Sequence, residues 1–234
     1  KSLIMKILCI IPARSGSKGL PNKNILNFQG FPMLVWSIKQ AQQSNYNKDI
    51  RIILSTDSEE YRQIGLKYGA EVPFLRPEEI SGDLSTDYEC IKHCLDYLEN
   101  EDDYIPDFII QLRPTYPTRK VEILNNCIKT FIEKRNEYDS LRTVIPFEKS
   151  PYKMYRVLDN KLKPLFQVVD SIIEPYNHCR QNLPNIYLHN GYIDILNTNI
   201  VKENTISGNK IYPYVMPEEE IHDIDNLKDI ELIK

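Results

Sequence analysis

Hydrophobic and polar positions along this chain switch repeatedly between two periods. Ile7-Leu8-Cys9-Ile10-Ile11 is a continuous apolar run, the pattern of a strand buried on both faces of a parallel sheet. Helical spacing follows: Leu34, Ile38 and Ala41 mark the inner stripe of a helix opening near Phe31, with Pro32 in its first turn. Arg51 to Asp57 reads as a second strand with a polar end, and Asp57 with Glu60 as the cap of the next helix. Glu71 to Pro77 is a short extended segment. A helix from about Thr86 has a capping box with Glu89 and a stripe of Tyr88, Ile91, Leu95 and Leu98. Asp107 to Leu112 is a third strand, Val121 to about Arg135 a helix with Leu124, Ile128 and Ile132 inside, and Leu141 to Pro146 a fourth strand. Apolar strands alternating with helices predict an α/β fold with a mostly parallel central sheet and helices on both faces.

The pattern then changes. Residues of about 147–180 are rich in Pro, Tyr and charge and carry no long helical period. A stretch of that length inside a compact domain is expected to be functional or to leave the domain, so 5–234 reads as one domain with 147–180 as an inserted arm. The chain returns through Arg180-Gln181-Asn182-Leu183-Pro184 and Tyr187 to Ile195, where Asn190-Gly191 also suits a plain turn and His189 a structural role. Near the end, Asp223 and Asp225 stand two apart, which puts both carboxylates on one side of an extended segment. Two convergent carboxylates suit Mg²⁺, although Asp225 also sits where a helix N-cap belongs.

Composition narrows the partners. The 234 residues carry 29 basic and 33 acidic side chains, a formal charge of −4, which argues against a general nucleic-acid or membrane binder. Any cationic site must therefore be local. Five cysteines without framework spacing suggest a reducing, cytoplasmic setting, and Cys90 and Cys94, four apart, read as core residues of a helix. The apolar run at Ile4 to Ile11 is too short to span a bilayer.

The local cationic site is the loop Pro12-Ala13-Arg14-Ser15-Gly16-Ser17-Lys18-Gly19-Leu20-Pro21-Asn22-Lys23-Asn24. Glycines let backbone N–H groups approach a ligand, and Arg14, Lys18 and Lys23 neutralise an anion. Such a loop at the carboxyl end of a first parallel strand is where α/β proteins seat a phosphate. It is neither a Walker A element nor a dinucleotide fingerprint, because the Gly-Lys-Ser/Thr and G-x-G-x-x-G spacings are both missing.

This loop resembles the first motif of the CMP-sialic acid synthetases, or acylneuraminate cytidylyltransferases, and most closely their legionaminic-type bacterial branch. Leu75-Arg76-Pro77-Glu78-Glu79, Arg180-Gln181-Asn182-Leu183-Pro184, Asn190-Gly191 and Asp223-Ile224-Asp225 resemble later motifs, so the likeness spans nearly the whole chain. It implies a Rossmann-like nucleotidyltransferase fold and transfer of CMP from CTP to a nonulosonic acid. It implies that Arg14, Lys18 and Lys23 hold the triphosphate and that Ala13, Arg14, Ser15, Gly16, Lys23, Asn24 and Arg76 bind the nucleotide. Asp223 and Asp225 would bind Mg²⁺, with Asp223 also catalytic; Arg113, Lys153 and Arg180 would bind the sugar. A homodimer is implied, in which the arm of each subunit brings Lys153 to its partner. Arg113 departs from the sialic acid branch, which more often has glutamine there, and this favours a legionaminic-type acid. A Kdo cytidylyltransferase, a glycosyltransferase using Asp-Ile-Asp and a nucleotide-sensing module are the alternatives.

Overall fold

A computed structural model describes residues 5–16, 20–217, 223, 224 and 229. Strand β1 (Ile7–Pro12) is the second strand from one edge of a six-stranded sheet. Its successive side chains point to opposite faces. Ile7, Cys9 and Ile11 join one core cluster, and Leu8 and Ile10 join another across the sheet. All five are fully buried, each larger one contributing roughly 1.5–3 kcal/mol of transfer free energy.

A two-residue hairpin, β2 (Asn27–Phe28) with β3 (Phe31–Pro32), leads into α1 (Met33–Gln42), with Pro32 at the N-cap. Strand β4 (Ile50–Ser55), helix α2 (Glu59–Lys67), helix α3 (Asp87–Asp102), strand β5 (Phe108–Gln111), helix α4 (Val121–Lys134) and strand β6 (Ser140–Pro146) follow. Thr86 and Glu89 form the expected capping box of α3. Helices cover both faces, as expected: Leu34, Tyr61 and Leu124 of α1, α2 and α4 pack in the first cluster, and Ile91 and Leu95 of α3 in the second. Gly65 allows α2 its close approach to the sheet, because a Cβ there would lie 2.6 Å from the Leu54 side chain.

Residues of about 147–180 do not form an unstructured loop. They fold into two hairpins, β7 (Tyr155–Leu158) with β8 (Lys161–Pro164) and β9 (Val168–Val169) with β10 (Ile172–Ile173). The chain re-enters the sheet as β11 (Tyr187–Asn197) and ends its described strands with β12 (Ile211–Val215). Asn190-Gly191 is thus not a hairpin turn but lies inside β11, at an irregularity between His189 and Asp194.

The order across the sheet is β12-β6-β11-β5-β1-β4. Strand β1 pairs in parallel with β4 and β5, and β12 in parallel with β6. Strand β11 runs antiparallel to both of its neighbours, β5 and β6. The sheet is mostly parallel, as expected, with one reversed strand inside it. From β1 the chain goes first to one side, to β4, and then to the other, to β5. That reversal opens a crevice beyond the carboxyl ends of β1 and β5.

Candidate active site

A cleft of about 230 Å³ occupies this crevice. Its walls come from four segments distant in sequence: Pro12 and Arg14 at the end of β1, Lys23 and Asn24 at the far end of the loop, Arg76 and Ser85 to Asp87 around the start of α3, and Arg113 to Thr115 after β5. Four cations, Arg14, Lys23, Arg76 and Arg113, therefore converge on one space. All four were expected from the sequence.

The loop foot after β1 is tightly held. The Ala13 amide donates to Ser55 O at 2.9 Å, extending the parallel ladder past the strand end. The Ser15 amide and hydroxyl both donate to the Asp57 carboxylate, at 2.8 and 2.9 Å. Asn24 is buried and its amide donates to Arg14 O at 3.0 Å. Asp57 therefore does not cap α2. Ser58 does, accepting from the Tyr61 amide, and Asp57 is left for the loop. Arg14 pairs with Asp83 at 2.9 Å.

Arg76 is 7% exposed. Its amide donates to Thr56 O at 2.7 Å and its Nη2 to Ser55 O at 3.1 Å, while its buried Nε has no partner among the described residues. A buried, unpaired donor on a cationic wall is a group that a ligand oxygen would satisfy.

Arg113 makes three side-chain hydrogen bonds. Its Nη1 donates to Asp194 at 2.7 Å and to Gly191 O at 3.1 Å, and its Nη2 to Asp87 at 2.6 Å. Burial works against its charge, but Asp194 and Asp87 overcome that and hold it firmly protonated. Asp194 is itself buried. Burial pushes its carboxyl up, yet His189 at 2.7 Å and Arg113 together outweigh this and bring it down to about 2. His189 is structural in the sense expected. Gly191 has φ +71°, and Arg113 Nη1 would lie 3.1 Å from a Cβ there. The sequence motif Asn190-Gly191 thus marks the place where a guanidinium lies against backbone.

Asp223 stands beside the Pro114–Tyr116 wall. Ile224 is buried and its amide donates to Thr115 O at 2.9 Å. Burial first and then Asp223 raise the Tyr116 hydroxyl well above its ordinary range. Asp223 is exposed and offers carboxylate oxygens. Those are the donors Mg²⁺ takes, so the residue fits the ion. No group of three His, Cys, Asp or Glu side chains is gathered for a metal among the described residues. Lys18 and Asp225 lie outside the described residues.

The two arm-side cations are not on this cleft. Lys153 Nζ donates to Tyr176 O at 3.5 Å, and Arg180 lies 3.7 Å from Glu148. Arg180 lines a separate cavity with Phe147, Ser150, Pro184 and Tyr187.

Several residues escaped the sequence reading. Asp83, Asp87 and Asp194 each hold a cation of the cleft. Asp194 carried a signal, a lone carboxylate within Tyr192-Ile193-Asp194-Ile195, since a charge inside an apolar strand requires a partner. Arg119 is 3% exposed and braces the same wall. It donates to Tyr192 O at 2.7 Å, Gln40 Oε1 at 2.5 Å and Arg113 O at 2.8 Å, and burial draws it down to about 10.

The sequence profile of the cytidylyltransferases matches residues 8–209. A pseudaminic acid cytidylyltransferase of Campylobacter jejuni is 30% identical over 231 residues, covering 98% of this chain and 95% of the relative. A CMP-N,N'-diacetyllegionaminic acid synthase of Legionella pneumophila is 34% identical over 204 residues, covering 86% of this chain and 82% of the relative. Among solved structures, a CMP:2-keto-3-deoxy-manno-octonic acid synthetase complexed with CTP superposes with a TM-score of 0.64 at 14% identity, covering 97% of this chain and 96% of that one. At that identity the superposition speaks for the fold alone.

Proposed function

This chain belongs to the cytidylyltransferase family, and from that premise we propose that it transfers CMP from CTP to the anomeric hydroxyl of a nonulosonic acid. The hydroxyl oxygen forms a bond to the α-phosphorus, the bond from that phosphorus to the β-phosphate oxygen breaks, and pyrophosphate leaves. The hydroxyl proton passes to solvent or to a phosphate oxygen. Two relatives named for nonulosonic acids, one pseudaminic and one legionaminic, support the sugar class.

The observation that carries the reading is the convergence of Arg14, Lys23, Arg76 and Arg113 on one cleft at the switch point of the sheet. Phosphoryl transfer asks the protein for positioning and charge stabilisation. Arg14 and Lys23, with Lys18, neutralise the triphosphate and the departing pyrophosphate. Ala13, Ser15 and Gly16 form the backbone of that cradle. Asn24 and the unsatisfied Nε of Arg76 hold the nucleoside side. Three of the five N–H donors of Arg113 are taken by Asp87, Asp194 and Gly191, which leaves two for a sugar carboxylate. Asp223, with Asp225, would hold Mg²⁺. When bound, that ion would polarise the α-phosphate and lower the pKa of the attacking hydroxyl.

The arm supports a homodimer. Val157, Leu162, Val168 and Ile173 are each more than half exposed on its hairpins, and such apolar surface requires cover. A two-fold partner would supply it reciprocally, with Lys153 and Arg180 reaching the neighbouring sugar site. Buried free thiols at Cys9, Cys90, Cys94 and Cys127 fit a reducing cytoplasm. No helix among the described residues is long and apolar enough to cross a membrane.

Pyrophosphate release from CTP and Mg²⁺ tests the reading, with sialic, legionaminic and pseudaminic acids and Kdo as acceptors. Release that depends on a nonulosonic acid is the expected result, with a legionaminic-type acid preferred over sialic acid. Release driven by Kdo alone, or no release with any acceptor, overturns it.

A further inference from the structure

We propose that Asp57 is the positioning residue of the phosphate loop. This inference rests on the reading of the cleft as the CTP site.

The loop between β1 and the buried Asn24 has described feet at Ser15 and Asn22. Both feet are tied to one short segment at the start of α2. At the first foot, Asp57 accepts from the Ser15 amide at 2.8 Å and from the Ser15 hydroxyl at 2.9 Å. At the second, the Tyr61 hydroxyl donates to the Asn22 side chain at 3.4 Å, with Tyr61 only 1% exposed. Asn22 holds a left-handed backbone, φ 54°, which makes the return abrupt. The cleft cations stand directly beside these feet: Arg14 precedes Ser15, and Lys23 follows Asn22. Asn24 links the feet by donating to Arg14 O at 3.0 Å.

The segment that carries the clamp is itself rigid. Ser58 caps α2, the Ser58 amide donates to Thr56 Oγ1 at 3.2 Å, and Thr56 O accepts from the Arg76 amide. One turn therefore sets the phosphate cations on one side and the Arg76 wall on the other. Of the two tethers, Asp57 makes the shorter, charge-assisted bonds. Ser15, whose two donors both point at Asp57, serves as the handle by which the loop is held.

A positioning role predicts coupling between Asp57 and Ser15 in turnover. Asp57→Ala should lower kcat/KM for CTP about 10²-fold, the usual consequence of displacing reacting groups by about 1 Å. Ser15→Ala keeps the amide bond and should cost only a few-fold. The double variant should be no worse than Asp57→Ala, because both changes release the same handle. Asp57→Asn keeps an acceptor for the Ser15 amide and should recover activity to within about ten-fold of the parent.

Pyrophosphate release gives kcat and KM for CTP, and thermal unfolding of the same samples gives Tm. Costs that multiply in the double variant overturn the proposal. So does an Asp57→Ala protein with parental kcat and KM, whether or not its Tm falls. If Asp57→Ala does not fold, Asp57→Asn and Ser15→Ala decide through the same coupling, since both preserve the amide tether. A parent that neither binds CTP by calorimetry nor releases pyrophosphate overturns the CTP reading itself. A parent that does both while the variants match it overturns the clamp alone.

Discussion

Asp194→Asn is the sharpest test of how the cleft is held together. The Asp194 side chain is 7% exposed and sits between Arg113 and His189, each at 2.7 Å. Its carboxyl falls from an ordinary 3.8 to about 2 in the folded protein. That fall is worth about 2 kcal/mol. A folded pKa below the unfolded one means that the stabilisation is fully present above about pH 4. It is lost as pH falls through about 2. Asparagine preserves the volume but removes the charge, leaving Arg113 with Asp87 as its single carboxylate. At pH 7 the variant should be less stable by about 2–3 kcal/mol, near the lower end for breaking a buried pair. Urea unfolding, followed by coincident fluorescence and circular dichroism transitions, measures the difference. Repeated down to pH 2.5, the gap between parent and variant should narrow, because only the parent has this carboxylate to protonate. A gap under about 0.5 kcal/mol at pH 7 would refute the reasoning, as would a gap that stays constant with pH.

Three further outcomes follow from the same geometry. Gly191→Ala forces a side chain onto φ +71° and to within 3.1 Å of Arg113 Nη1; it should cost about 1–3 kcal/mol in urea unfolding, and an unchanged midpoint would show that Arg113 yields freely. Asp223→Asn should abolish Mg²⁺-dependent pyrophosphate release with little loss of stability, since Asp223 is exposed; a normal Mg²⁺ titration would remove the metal assignment. Val157 and Leu162 face each other across the β7–β8 hairpin, 70% and 66% exposed; replacing both with lysine should turn the proposed dimer into monomers in sedimentation while circular dichroism stays constant, and a dimer mass kept by the variant would exclude this hairpin from the proposed subunit contact.

Elements built on local signals were legible in the sequence. The five-residue apolar run of β1, the Thr86–Glu89 capping box and the stripe of α4 each need only neighbouring residues to be read. What was missed depends on distant partners. Asp57 looks like a helix cap because Glu60 follows it, yet its carboxylate goes to Ser15, 42 positions earlier. Arg113 looks like a free cation because its two carboxylates lie 26 residues before it and 81 after it. Strand β12 has Pro213 at its centre, a pattern that argues against a strand; the chain tolerates it because β12 is at the sheet edge. The direction of β11 had no local signal at all, since alternation tells which face is buried and not which neighbour is paired. The cations of the cleft were readable as residues, but the carboxylates that hold them were not.

The reversed strand imposes an order of assembly. Strands β4, β1 and β5 pair among themselves, so that half of the sheet can form once the chain has been made as far as Gln111. Among the described residues, strand β6 pairs with β11 and β12, both later in the chain. While the arm is being synthesised, β6 and the outer edge of β5 present unpaired backbone to the cell, the condition in which nascent chains associate wrongly. Both edges close when a single segment, Tyr187–Asn197, slides between them. Its entry requires contacts with strands well before it in the chain, and so carries a loop-closure cost of its own. Strand β11 is the clasp that joins the two halves of the sheet.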